Sequence, residues 1–139
     1  MTIEAYLFFN GRCDEAIAFY SQTLGAQATY LMRYRESPEP PVPGMLPPGF
    51  EDKVMHANLK LGDTSLMLSD GNSDAGPQFN GFSRALSLPD EEAVRRAFSA
   101  LAEGGQVIMP LSKTFWSPCF GMLSDRFGLG WMLMVYQQP

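Results

Sequence analysis

Residues 54–70, VMHANLKLGDTSLMLSD, decide the fold. From Val54 to Leu61 apolar and polar residues alternate, Gly62-Asp63 supplies a two-residue turn, and Thr64 to Asp70 returns. That pattern predicts a β-hairpin. Reading back from it, residues 36–53 hold Pro38, Pro40, Pro41, Pro43, Pro47 and Pro48. Such a stretch can be neither helix nor central strand, so a long loop precedes the hairpin. Before the loop, residues 27–35 (QATYLMRYR) read as a strand. Residues 13–24 read as a helix, with Ala16, Phe19, Tyr20 and Leu24 at helical spacing, Asp14 and Glu15 in the first turn and Gly25 as a stop. Asn10-Gly11 is a turn signal, and residues 3–9 (IEAYLFF) are β-prone.

Past the hairpin, residues 71–78 are polar and carry Gly and Pro, which marks a linker, and then the order restarts. Residues 81–88 read as a strand. Pro89-Asp90-Glu91-Glu92 opens a helix that runs to Glu103, and Gly104-Gly105 ends it. Residues 106–112 read as a strand, and 116–124 with 130–136 as a final hairpin. Asp14-Glu15-Ala16 and Glu91-Glu92-Ala93 lie 77 positions apart, and Gly25-Ala26-Gln27 is echoed by Gly104-Gly105-Gln106. The expectation is an α+β fold made of two βαβββ modules, pseudo-repeat halves 1–75 and 76–139 of a single domain spanning 1–139. The alternative is an α+β meander whose halves look alike by chance.

Composition narrows the function classes. With 45% hydrophobic and 18% charged residues over 139 positions, the chain can bury a real core. No apolar run reaches the ~18 residues of a membrane span. The first apolar stretch contains Glu4 and has no basic lead, so no signal peptide is expected and a cytoplasmic chain is. The net charge of -5 and the absence of any Lys/Arg cluster argue against nucleic acid. Cys13 and Cys119, far apart in sequence, are expected as free thiols.

Specific segments carry a resemblance. Thr114-Phe115-Trp116, Phe120-Gly121, Asp125-Arg126-Phe127-Gly128 and Trp131-Met132 resemble the signature of the PhnB-like family. So do Phe19-Tyr20 with Leu24-Gly25-Ala26, His56-Ala57-Asn58, and Leu66 to Asp70. That family belongs to the vicinal-oxygen-chelate group, which includes glyoxalases, bleomycin-resistance proteins and dioxygenases. The resemblance covers nearly the whole chain. It implies paired modules curved around a cup, and a homodimer, which would also cover sheet edges. The family also bears a methyltransferase label tied to ubiquinone. The chain has no Gly-rich strand-to-helix loop followed by an acidic strand end, the arrangement a nucleotide-like methyl donor needs.

Metalloenzymes of the group place one ligand on each of the first, fourth, fifth and eighth strands. Alignment by the resemblance puts Ala5, Leu68, Ser83 and Met134 there; a one-residue slip would bring in Glu4. None of the four is a useful ligand for a divalent ion, so neither metal nor other cofactor is expected. Strand parity assigns Met55, Ala57, Leu59 and Leu61 to the helix-covered face and His56, Asn58 and Lys60 to the cup. The alignment adds Ala5, Leu7, Leu66, Leu68, Asp70, Ser83, Ala85, Ser87, Met132, Met134 and Tyr136 to the cup, and the repeat matches Phe120 to His56.

The candidate ligand-binding residues are therefore His56, Asn58, Ser83, Phe120, Met134 and Tyr136, with Trp116 at the mouth, around an unidentified small molecule. Trp131 is expected in the core. Arg33 and Arg35 read as a solvated edge rather than an anion site. Asp70 and Asp125 are candidate turn caps, and a His56–Asp70 acid–base pair is chemically conceivable. Cys13 opens a helix, whose dipole would lower its pKa. The leading reading is a metal-independent small-molecule-binding protein with catalysis unproven. Its rivals are a glyoxalase- or dioxygenase-type metalloenzyme with atypical ligands, and an antibiotic-sequestering protein.

Overall fold

A computed structural model describes residues 1–136. It contains two compact units, Met1–Pro77 and Gln78–Pro139. The first is built from β1 (Tyr6–Phe8), α1 (Cys13–Leu24), β2 (Gln27–Arg33), β3 (Val54–Leu61) and β4 (Thr64–Ser69). The second repeats the order with β5 (Arg84–Leu88), α2 (Glu91–Ala102), β6 (Gln106–Ser112), β7 (Phe120–Ser124) and β8 (Gly130–Val135). Each forms an open four-stranded mixed sheet, ordered β1-β4-β3-β2 in one and β5-β8-β7-β6 in the other. The first and last strands of each unit lie side by side and parallel; the other pairs are antiparallel. This is the α+β, twice-βαβββ architecture expected. Among the described residues no helix is long and apolar enough to cross a membrane.

Each sheet has a helix-covered face and an open one. In the first unit Ala57 pairs with Leu68 and Leu59 with Leu66 across β3–β4, while Leu7 stands beside Leu68 in β1–β4. All five are buried, as are Ala16, Phe19 and Tyr20 of α1. Phe9, just past β1, sets its ring 6.3 Å from Tyr20. In the second unit Leu86, Leu133 and Gly121 line up in the same way. A Cβ placed on Gly121 would stand 2.8 Å from Phe98 of α2, so this row faces the helix.

The hairpin register corrects part of the sequence reading. Leu7, Leu66 and Leu68 lie on the helix side with Ala57, not in a cup, and parity places Ala5 with them. The pairing carries parity across the turn: once Ala57 and Leu59 face the helix, their partners Leu68 and Leu66 must as well. Met55 departs in the other direction. Between the Met32–His56 and Arg33–Val54 pairs β3 carries one extra residue, and that residue is Met55. A bulge re-aims its side chain, so Val54 takes the buried position and Met55 turns toward a cavity.

The two helix starts differ. Asp90 caps α2 by accepting from Ala93 N at 2.8 Å. At α1 the N-cap position is Arg12, whose side chain caps nothing. Asp70, immediately past β4, acts there instead. Its Oδ1 accepts from Gly11 N at 2.9 Å and Cys13 N at 2.8 Å, and its Oδ2 accepts from Val54 N at 2.8 Å. Asp125 plays a local part in the β7–β8 turn, accepting from the amides of Phe127 and Leu129 and from Trp131 Nε1 at 2.9 Å.

Candidate functional site

The open face of the first sheet carries Tyr6 and Phe8 from β1, Met67 and Ser69 from β4, and His56 and Asn58 from β3, with Tyr30 and Met32 opposite the last two on β2. His56 is the centre of its polar network. Nε2 lies 3.1 Å from Asn58 Oδ1, and Nδ1 lies 2.9 Å from the Tyr6 hydroxyl. An amide oxygen only accepts, so Nε2 carries the hydrogen; a neutral ring then accepts at Nδ1 from Tyr6. Burial, partly opposed by the Ser69 hydroxyl, holds the Tyr6 phenol above its usual range, which keeps it a donor. Around the imidazole stand the rings of Tyr6 at 5.5 Å and Tyr30 at 6.0 Å, and Phe8 follows 5.2 Å from Tyr6. These rings are well exposed: Tyr6 39%, Tyr30 47% and Phe8 51%. A monomeric surface has little reason to keep three aromatic rings in water beside a half-buried histidine.

The open face of the second sheet is apolar. Phe120 pairs with Met134, Met122 with Met132 and Met109 with Met122, and Ser87 and Ala85 flank the two β8 methionines. Trp116, in the loop before β7, packs edge-on against Phe120 at 5.2 Å and against Phe115 at 4.7 Å, and stays 44% exposed. Tyr136 follows β8 and is exposed, its N–H donating to Leu88 O at 2.6 Å. Ser83 is exposed just before β5. The candidate residues thus fall into two groups. His56 and Asn58 are joined within the first unit. Within the second, Trp116, Phe120 and Met134 form one patch, with Ser83 and Tyr136 beyond the ends of the strands.

Several other readings are decided by these contacts. Asp70 is fully buried and holds three backbone amides, so it is no acid–base partner for His56. Trp131 is buried on the helix side, as expected. Arg33 forms a bidentate pair with Asp14, and Arg35 an ion pair with Asp52. Both cysteines are free and buried. Burial first, then the charges of Asp70 and Asp14, push the Cys13 thiol well up, overriding the helix dipole. Tyr6 and Tyr30 were not among the candidates. Their strand positions opposite Met67 and Asn58 give the signal, and it is usable only once the register is fixed.

Residues 2–133 match the profile described as the Glyoxalase/Bleomycin resistance protein/Dioxygenase superfamily. The chain belongs to that superfamily. Protein YjdN of Escherichia coli (strain K12) is 34% identical over 145 residues, covering 100% of this chain and 99% of YjdN. The crystal structure of protein PA1353 from Pseudomonas aeruginosa shares 42% identity and superposes with a TM-score of 0.82, over 99% of both chains. A Bacillus cereus structure described as a putative 3-demethylubiquinone-9 3-methyltransferase, PhnB protein, shares 28% identity with a TM-score of 0.80, over 98% of this chain and 100% of that one. This superfamily member therefore has PhnB-like relatives, as the sequence motifs implied.

Metal-dependent members of the superfamily hold their ion with strand side chains, so the donor chemistry of this chain can be tested. Correcting the register removes Ala5 and Leu68 from the open face and puts Tyr6, Met67 and Ser69 there instead; Ser87 and Met134 are on the open face of the second sheet. Phenols, hydroxyls and thioethers do not form a site for a hard or borderline divalent cation. Among the described residues no three His, Cys, Asp or Glu side chains gather where they could hold one. This donor set does not fit a metal.

Proposed function

We propose that this superfamily member is a metal-independent small-molecule-binding protein of the PhnB-like type, with two candidate contact groups, each within its own unit: His56 and Asn58 on the open face of the first sheet, and Phe120, Met134 and Trp116 on that of the second. The observation that carries the reading is the His56–Asn58–Tyr6 network set among exposed aromatic rings. It offers hydrogen-bonding groups at the edge of an apolar platform, the usual profile of an organic-ligand site. The methionines of the second face can repack around more than one ligand shape. Ser83 and Tyr136 border that face. No residue is assigned a catalytic role. A homodimer completes the proposal, since each sheet has edge strands and the Tyr6, Phe8, Tyr30 and Trp116 rings stay exposed.

The test is native mass spectrometry and elemental analysis of protein purified without added metal or chelator, followed by His56→Ala. The expected results are no stoichiometric transition metal, a dimer mass, and a co-purifying organic species that the variant loses while remaining folded. One zinc, nickel, iron or manganese per chain would overturn metal independence. Full retention of the organic species by His56→Ala would overturn the site, and a monomer at tens of micromolar the dimer.

A further inference from the structure

The proline-rich segment between β2 and β3 forms a strap rather than a plain connection. Both its ends are pinned. Tyr34 N donates to Lys53 O at 3.1 Å, the Tyr34 hydroxyl donates to Gly71 O at 2.5 Å, and Arg35 Nε meets Asp52 at 2.8 Å. Under it, against the end of the first sheet, lies a cavity of about 500 Å³ walled by Phe8, Tyr34, Val42, Met45, Leu46 and Met55. A cavity of about 400 Å³ adjoins it, sharing Tyr34, Glu39 and Leu46 and adding Glu51.

We propose that the strap cavity, at the Phe8–Ser69 end of the first sheet's open face and beyond the His56–Asn58 pair, is a second binding site, for an amphiphilic organic amine whose apolar body fills the cavity and whose cation meets Glu39. The volume lies in the range of drug-sized ligand pockets, roughly 300–1,000 Å³. Its lining is mostly ring, thioether and aliphatic carbon, with the polar side chains of Ser37, Ser69 and Asn72 among them, and the prolines of the strap limit the backbone entropy lost on binding. Charge selects the headgroup. Glu39 is the one ionisable carboxylate lining the larger cavity, and no Lys, Arg or His lines it. Among the described residues the Glu39 carboxylate has no ion-pair partner, whereas the nearby Arg35 and Arg33 are engaged by Asp52 and Asp14. The adjoining cavity is lined by Glu51 and by Arg35, whose charge is taken up by Asp52, and the chain as a whole carries -5. The exposed Phe8 ring and the Met45 and Met55 sulfurs are surfaces on which an alkylammonium group is at ease. A sulfate or carboxylate headgroup would meet the like charge of Glu39.

The test is calorimetric titration of the full chain with decyltrimethylammonium, decyl sulfate and decanol, three probes of one tail length, below their aggregation concentrations. The ammonium should bind at least about fivefold tighter than the sulfate, the scale of an exposed charge interaction. Glu39→Gln should reduce that preference to within about twofold, on the same reasoning. Met45→Trp, which fills the cavity from the strap, should weaken all three probes, and His56→Ala should change none. Equal binding of ammonium and sulfate, or a preference untouched by Glu39→Gln, overturns the proposal. So does amine binding that is lost in His56→Ala but survives Met45→Trp, because the amine would then sit at His56 rather than under the strap.

Discussion

The two halves of the chain solve the same topological problem with the same ladder and different fastenings. Their correspondence extends to a defect. β2 carries an extra residue at Thr29 between the Ala28–Leu59 and Tyr30–Asn58 pairs, and β6 carries one at Ile108 between Val107–Leu123 and Met109–Met122. A shared bulge is a feature of the module rather than of either sequence. The helix starts diverge. In the second half Asp90 lies beside the amide it caps. In the first half Asp70 reaches the start of α1 from 57 residues away and also takes the Val54 amide. The difference shows how a duplicated unit can exchange a local fastening for a tertiary one without altering strand order.

The largest effect should come from removing that tertiary fastening. Asp70→Ala strands two buried amides and one half-buried amide at a cost of about 1–3 kcal/mol each, so a loss on the order of 4 kcal/mol is expected. Asp90→Ala should cost only about 1 kcal/mol, the usual value of a local cap. Denaturant unfolding of both variants decides the matter. Equal losses would mean that Asp70 is merely another cap and that the contrast between the halves is empty.

A second comparison exchanges residues between equivalent positions. Gly105 stands where the first half has Ala26, and Gly121 where it has Ala57. A Cβ at Gly105 would be forced against the Ser124 carbonyl oxygen and the Asp125 backbone, and one at Gly121 against Phe98 and Leu111. Gly105→Ala should therefore destabilise by about 3 kcal/mol and Gly121→Ala by about 1–3 kcal/mol. Ala57→Gly in the first half should cost about 1 kcal/mol through backbone freedom alone. If Gly121→Ala melts with the parent protein, the tighter approach of α2 to its sheet is wrong.

The smallest effect concerns Cys13. Its thiol is raised in the native state, so the stability it contributes is intact below the unfolded thiol's ordinary value and is lost as pH rises past it. Between pH 8 and 9.5 the stability should fall by about 1 kcal/mol, given an unfolded thiol near 8.5. Cys13→Ala should flatten that slope, and native Cys13 should resist iodoacetamide at pH 8. Rapid alkylation of the folded protein would restore the helix-start reading and place α1 in a more open setting than the structure gives it.

Periodicity and punctuation made most of the architecture legible. The span predicted for α1 is the one observed, and the prolines of 36–53 marked the strap. Other features escaped because they depend on pairing. Leu66 and Leu68 were assigned to the wrong face, although the two-residue turn at Gly62-Asp63 transmits the parity of Ala57 and Leu59 to them. Met55 fits the apolar alternation in sequence, and only its bulge turns it into the cavity. His56 and Asn58 were found by alternation. Tyr6 and Tyr30 were missed because exposed aromatics on short strands look like core until their neighbours are known. Asp70 read as a turn cap, since nothing in a sequence tells a carboxylate that serves its own turn from one that serves a helix across the unit.

The placement of β4 beside β1 also dates the completion of the first half during synthesis. A chain made from its N-terminus presents Tyr6–Phe8 and the whole of α1 before Thr64–Ser69 exists. Until then β1 has no neighbour in the sheet, and the amides of Gly11 and Cys13 have no carboxylate to receive them. Domains generally fold as units, N-terminal first, as the chain is made. Here the last residue of the hairpin closes the first turn of the helix, so the emergence of Asp70 from the ribosome acts as a clasp. A pause in translation before it would leave the N-terminal strand waiting, and one after it would find the first half shut.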